Sequence, residues 1–205
     1  VVKRFQAAYP DVQVHWTEGR NTELVDQLLN GDIDFAPEVD EVKNENIQAF
    51  IWGKEMVILA VPCNAPINNR LKKYRFTAED IHDRRHLSDE TPAVKPEAFA
   101  NEPFILLREG NDSYKRGLAI CQDAGFVPHV AMTVDSLMTS YYLAAEGNGV
   151  AFIRDSILYY ADLTDKLYFY KIDHPLTVRN VYLYYRNARL SRTAEAFLGF
   201  MQGEK

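Results

Sequence analysis

The sequence predicts an α/β protein, because a strand, a short polar loop and an amphipathic helix follow one another three times along the chain. The three repeats cover residues 12–32, 104–126 and 130–149. In each repeat the loop holds Asn, Thr, Asp or Ser side chains, which can cap the helix that follows. A glycine is placed to end each helix, at Gly31, Gly125 and Gly147. The strand and helix signals form two similar sets, and 205 residues suffice for two small cores, so two lobes are expected.

The first third of the chain is predicted to begin with a helix and to reach a buried strand. Val2 and Phe5 lie at helical spacing before Pro10, and apolar side chains then alternate over residues 12–16 as in a strand. The next predicted elements are a helix at residues 21–30 and a strand at residues 32–37. Residues 55–62 are continuously apolar, which is typical of a central parallel strand that is buried on both faces.

The remainder of the chain begins with a polar, irregular stretch at residues 63–101, where a long connection with one or two helices is expected. After the second and third repeats, the predicted elements are a strand at residues 150–154, a helix from Asp155 or Ser156, strands at residues 166–172 and 180–186, and a final helix capped by Ser191. The two late strands are rich in Tyr, Phe and Val, which favour strands.

Composition argues against several function classes. A net charge of −6 and a pI near 5.4 do not favour direct binding of nucleic acid, which needs a basic surface. No apolar run has membrane-spanning length and no signal peptide is recognised, so a cytoplasmic location without membrane contact is expected. Cys63 and Cys121 are too few for a disulfide framework and are expected to be reduced thiols.

Short motifs follow in a recognisable order along the chain. They are YPDVQVHWTEGRNTELVDQLLNGDIDFA, EMVILAVP, EPFILLREG, AGFVPHV and VDSLMTSYYLAAEGNGVAFI, with a Phe-containing helix at the end. The positions that match a family pattern are Tyr9, Pro10, Glu18, Gly19, Leu24, Leu28, Gly31, Asp34, Gly147 and Gly149. In this order and spacing, nearly the whole chain resembles the effector-binding (substrate-binding) domain of LysR-type transcriptional regulators.

The resemblance implies a two-lobed, type 2 periplasmic-binding-protein-like fold with mixed, mostly parallel sheets and two crossing strands at the hinge. Lobe I would comprise residues 1–61 and 173–205, and lobe II residues 62–172. A small effector would bind between the lobes and control DNA binding by an N-terminal winged helix-turn-helix, which is absent here. Such domains commonly pair head to tail, so a homodimer or larger homo-oligomer is expected.

Three departures from the family pattern bear on function. The first strand of lobe I and its Ser/Thr-rich loop are missing, so either the strands near Val14 and Phe35 close up or a segment of another chain fills the gap. The connection at residues 66–103 is longer than usual. Arg154 stands where many members have Pro, and its guanidinium could reach a carboxylate in the cleft or lie on the surface.

A small organic anion is the expected effector, because helix N-termini and arginines would meet at the strand ends. The candidate effector-binding residues are Arg20, Asn21, Thr22, Arg108, Asn111, Ser113, Asp135, Ser136 and Arg154. Every α/β protein has capped helices, so a purely structural role is the alternative for each loop residue.

Other constellations point to no catalytic centre, cofactor or metal. His82 and His86 have the spacing of two metal ligands on a helix, but no third ligand is obvious, and solvated histidines are the simpler interpretation. Ser113 and Ser136 lie in no nucleophile motif, and Cys63 lacks the surroundings of a cofactor-carrying cysteine. A non-enzymatic sensor is therefore the main hypothesis. An extracytoplasmic solute-binding protein of the same fold is the alternative, and an enzyme on this scaffold is the least favoured.

Overall fold

A computed structural model describes residues 1–19, 21–38 and 41–203, and of Asn21 only the backbone. The chain forms two compact units. Unit 1 comprises Val1–Lys54 and Asn180–Lys205, and unit 2 comprises Glu55–Arg179. The predicted site residue Arg20 lies outside the described residues.

Helices and strands alternate along most of the described chain. The α-helices are α1 (Val2–Ala8), α2 (Asn21–Asn30), α3 (Ile67–Arg70), α4 (Ala78–His82), α5 (Asp112–Asp123), α6 (Leu137–Ala145) and α7 (Arg192–Gly203). The strands are β1 (Phe35–Glu38), β2 (Ile47–Pro62), β3 (Arg75–Phe76), β4 (Pro103–Leu107), β5 (His129–Val134), β6 (Val150–Arg154), β7 (Leu167–Lys171) and β8 (Val178–Arg186). Short 3₁₀ helices cover Lys72–Tyr74, Arg85–Leu87, Pro96–Phe99, Asp155–Tyr159 and Pro175–Thr177. Both β2 and β8 have residues in each unit.

Unit 1 is built on the antiparallel pairing of β1 with β8, in which Ala36 lies opposite Tyr184. The amphipathic helix α2 covers this pair with Leu28, which is fully buried. The predicted first helix is confirmed as α1, and its Phe5 ring packs edge-on against Phe197 of the predicted final helix, α7.

The predicted strand at residues 12–16 is wrong. Residues 12–19 form neither helix nor strand, and Trp16 is 70% exposed. A strand needs a neighbour for its backbone hydrogen bonds, and within the described residues β1 pairs with β8 and not with residues 12–16. The expected closing up of these two segments is therefore not observed. Pairing with a segment of another chain stays a prediction.

Unit 2 contains a mixed sheet in the order β7, β2, β6, β4 and β5, with β3 beside β7. The apolar half of β2 is central and buried, as predicted, but it runs antiparallel to β6 and β7. The predicted parallel direction was wrong because an apolar run reports burial on two faces and carries no information on strand direction.

The parallel strands β4, β5 and β6 end at one edge of the unit 2 sheet. The helices α5 and α6 begin just beyond β4 and β5. The helix predicted after β6 is the short 3₁₀ helix Asp155–Tyr159. Gly125 and Gly147 follow α5 and α6 with φ of 81° and 86°, which confirms their predicted left-handed conformation. This edge therefore gathers the polar residues that follow three strands.

Candidate functional site

Two of the predicted site residues form an ion pair at the strand-end edge of unit 2. Arg108 follows β4 and donates two hydrogen bonds, of 2.6 and 3.2 Å, to the two carboxylate oxygens of Asp135, which follows β5. The hydrogen bond from Arg108 and its positive charge lower the pKa of Asp135. Both side chains are largely exposed, so the pair is screened by solvent. Asp135 therefore compensates the charge that Arg108 was expected to offer to an anion.

Three further predicted residues act at helix N-termini. Asn111 Oδ1 accepts a 2.9 Å hydrogen bond from the backbone N–H of Ser113, at the start of α5. Ser136 Oγ accepts hydrogen bonds from the N–H groups of Met138 and Thr139, at the start of α6. Asn111 and Ser136 therefore have the structural role that was the alternative to ligand binding, because their side chains cap helices.

Arg154 lines a depression of about 410 Å³, here called the strand-end depression. Its other lining residues are Leu137, Met138, Ser156, Ile157, Tyr160 and Ala161. The Arg154 side chain is 39% exposed, and its Nε lies 3.5 Å from the Glu55 carboxylate. The sequence left open whether Arg154 reaches a carboxylate or lies on the surface. In the structure its side chain is partly exposed and also contacts a carboxylate, that of Glu55. The depression offers the guanidinium of Arg154 and the hydroxyl groups of Ser156 and Tyr160 within a mostly apolar lining.

The junction of β6 and the following 3₁₀ helix, which carries Arg154 and Ser156, is anchored by the buried carboxylate of Asp155 between them. Asp155 accepts a 3.0 Å hydrogen bond from the N–H of Met56, a 2.9 Å bond from the Tyr159 hydroxyl and a 3.0 Å contact from His86 Nε2. Burial raises the pKa of this carboxyl, but the hydrogen bonds from His86, Met56 and Tyr159 outweigh it and lower the pKa overall.

His86 is fully buried, so its interpretation as a solvated histidine was wrong. Its Nε2 faces Asp155, whereas His82 is exposed and contacts Asp83. The two imidazoles therefore do not share a site. In the described part of the chain, no three His, Cys, Asp or Glu side chains are grouped as metal ligands.

A chain of ion pairs leads from Arg154 to α5 within unit 2. Glu55 contacts both Arg154 and Arg179, and Arg179 also donates a hydrogen bond to Asp112 in the first turn of α5. Asp112 in turn lies 3.5 Å from Arg116. Sequence reasoning missed Glu55 and Arg179. The only signal was a charged residue next to an apolar run, which is equally common on a protein surface.

Of the predicted site residues in unit 1, the structure describes Thr22 and the backbone of Asn21. Because α2 begins at Asn21, both Asn21 and Thr22 lie in the first turn of this helix rather than before it. Thr22 is exposed. Their contribution to ligand binding, and that of Arg20, stays a prediction.

No helix in the described ranges is long and apolar enough to cross a membrane.

Comparison with known proteins identifies the family to which the chain is similar. The LysR substrate binding domain family matches residues 1–205. The uncharacterized HTH-type transcriptional regulator YcgK of Bacillus subtilis is 26% identical over 203 residues, which are 97% of this chain and 60% of that protein. The chain thus spans less than two thirds of this relative.

Solved structures with the same fold include two ligand complexes. The BenM effector binding domain with its effector benzoate has a TM-score of 0.75 at 15% identity, covering 99% of this chain and 83% of that one. The CcmR regulatory domain of Synechocystis PCC6803 in complex with 2-PG has a TM-score of 0.78 at 13% identity, covering 99% and 88%. At such identities these neighbours establish the two-lobed, periplasmic-binding-protein-like fold and not the ligand.

Proposed function

The chain belongs to the LysR substrate binding domain family, and from this premise we propose that it is the ligand-sensing part of a LysR-type transcriptional regulator. A small organic anion is the proposed ligand. Its binding would alter DNA binding by a winged helix-turn-helix in the N-terminal part of the longer protein. We further propose that this protein is a cytoplasmic homo-oligomer, dimeric or larger, that works without a cofactor.

The strand-end depression carries the proposal of an anionic ligand. Arg154 can form charge-assisted hydrogen bonds to a carboxylate, and Ser156 offers a second polar group beside it. Met138, Ile157 and Tyr160 supply apolar surface for the body of the ligand. This combination favours a carboxylate attached to an apolar group. Benzoate, the effector named for the structurally similar BenM domain, has this chemistry.

A non-enzymatic role is supported by the state of the possible nucleophiles. Ser136 caps α6 and contacts no histidine in the described structure. Burial raises the pKa of the Cys121 thiol to about 12, so its reactive thiolate form is scarce at neutral pH. The family match favours a regulator over the solute-binding alternative.

The ligand class is tested with the isolated chain by thermal shift and titration calorimetry, using benzoate and its neutral analogue benzamide. Benzoate is expected to raise the melting temperature, because a ligand that binds only the folded state stabilises it. Arg154→Gln should weaken benzoate binding about tenfold or more, since it removes a charge-assisted hydrogen bond. Lys166→Gln is the control, because Lys166 pairs with exposed Glu146 and does not line the depression.

Stabilisation by benzamide but not benzoate, or equal losses in the Arg154 and Lys166 variants, would contradict the proposal. Thr22→Ala and Ser136→Ala extend the test to two further predicted residues. Each is expected to weaken binding while the circular dichroism spectrum stays that of a folded chain.

A further inference from the structure

We propose that Glu55 is a specificity-determining residue of the ligand site, because its carboxylate competes with the anionic group of the ligand for Arg154. The inference rests on the proposed function, since it assumes that Arg154 meets the ligand. It adds Glu55, which does not line the depression but contacts Arg154, and it predicts that removal of the Glu55 charge tightens binding of an anion.

One oxygen of Glu55 serves two guanidinium groups. Its Oε1 accepts a hydrogen bond from Arg179 Nε and lies 3.5 Å from Arg154 Nε. Charge-assisted hydrogen bonds between nitrogen and oxygen are about 2.7–2.9 Å long, so the Arg154 contact is the looser of the two. The side chains of Glu55 and Arg179 are both more than nine-tenths buried, whereas that of Arg154 is partly exposed at the depression.

These unequal contacts allow one carboxylate to replace another at Arg154. When the ligand's anionic group approaches Arg154, Glu55 keeps its hydrogen bond to Arg179 and is not left as an unpaired buried charge. A neutral ligand offers Arg154 no charge in exchange, so it gains little from the guanidinium. Glu55 thereby lowers the affinity for anions and leaves the affinity for neutral ligands nearly unchanged, so it sets how strongly the site prefers an anion.

The same pair lies where the chain passes between its two units. Glu55 is the first residue of unit 2 on β2, and Arg179 is its last residue on β8. When the ligand takes the place of Glu55 at Arg154, the Glu55 carboxylate is left to interact with Arg179 on β8.

Glu55→Gln tests the competition by titration calorimetry with benzoate and benzamide. One negative charge removed at about 7 Å from the bound anion, at an effective dielectric constant between about 20 and 80, should tighten benzoate binding between about threefold and about fiftyfold. Benzamide binding should change less than about twofold, because it carries no charge. Glu55→Asp, whose shorter carboxylate stands further from Arg154, should act in the same direction by a smaller factor and carries the test if the glutamine variant does not fold.

Asp112→Asn is the matched control, because it removes another carboxylate from Arg179 without touching the contact to Arg154. It should tighten benzoate binding less than Glu55→Gln does. Weaker or unchanged benzoate binding in the Glu55 variants, while the unaltered chain binds benzoate, overturns this inference and leaves the proposed function standing. Absence of benzoate binding in every variant overturns both.

A second measurement does not need a bound ligand. Phenylglyoxal modifies accessible guanidinium groups, and mass spectrometry locates the modified arginine. Glu55→Gln should increase the modification rate of Arg154 at least about twofold, because the carboxylate no longer holds this side chain. The rate at Arg116, which pairs with Asp112, is the internal control. An unchanged rate at Arg154 shows that Glu55 does not hold it and refutes the competition.

Discussion

Replacing Asp155 with alanine is expected to destabilise unit 2 by about 3–5 kcal/mol. The change leaves three donors without their acceptor: the buried N–H of Met56, the buried Nε2 of His86 and the partly buried hydroxyl of Tyr159. A buried donor that loses its partner costs about 1–3 kcal/mol, so the loss of three such hydrogen bonds, one of them only partly buried, adds up to about 3–5 kcal/mol. Tyr159→Phe is the matched variant. It removes one donor and leaves the carboxylate two others, so it should cost about 1 kcal/mol.

Amide hydrogen exchange followed by mass spectrometry is the appropriate assay, because it reports on unit 2 directly. Trp16 and Trp52 both belong to unit 1, so tryptophan fluorescence would report on the other unit. In Asp155→Ala, peptides covering residues 150–160 should exchange between about 10² and about 10⁴ times faster, since each 1.4 kcal/mol is a factor of ten. If Asp155→Ala costs no more than Tyr159→Phe, the argument that Asp155 anchors the junction of β6 and the following 3₁₀ helix fails.

The same contacts predict a pH dependence. Because the pKa of Asp155 is lowered from its ordinary 3.8, its ionised form contributes stability above that pH. This contribution is lost as the pH falls from about 3.8 through the lower pKa of the folded state. The difference in stability between the unaltered chain and Asp155→Ala should therefore shrink over that range. If the difference in stability between the unaltered chain and Asp155→Ala is constant from pH 7 to pH 2, the ionised form of Asp155 is not the form that the hydrogen bonds from His86 and Tyr159 stabilise.

Three further predictions concern separate features of unit 2. Gly149→Ala should destabilise the fold by roughly 2–4 kcal/mol in urea unfolding, because an added Cβ would lie 2.6 Å from the Pro103 carbonyl oxygen and the residue has a φ of 147°. Gly147→Ala is the control: its φ is also positive but the space around it is open, so it should cost only about 1 kcal/mol. Equal costs of the two substitutions would show that the clash is not the cause. Ser136→Ala should cost about 1 kcal/mol in the same assay through loss of the α6 cap, and no loss would show the cap to be unimportant. A maleimide at pH 7 should label exposed Cys63 and spare buried Cys121 until urea unfolds unit 2, as peptide mass spectrometry will show.

Local sequence patterns determined the elements that depend on neighbours along the chain. Helical spacing and a following proline predicted α1, and Ser191 caps α7 as expected, with its Oγ accepting a hydrogen bond from the Ala194 N–H. Such features need only contacts within one or two turns, so residue order is sufficient to specify them. Residue order together with the family motifs also indicated the family, and the match over the whole chain confirms it.

Only the tertiary structure decided which distant residues meet. Alternation at residues 12–16 could not form a strand by itself, because a strand exists only with a partner. His86 and Asp155 are 69 residues apart, and Glu55 and Arg179 are 124 apart, so no local pattern could pair them. Arg154 was recognisable from the sequence as an unusual residue, but its chemistry depends on the Glu55 carboxylate beside it. Buried charges take their partners from the whole fold, since burial makes an unpaired charge costly wherever its partner lies in the sequence.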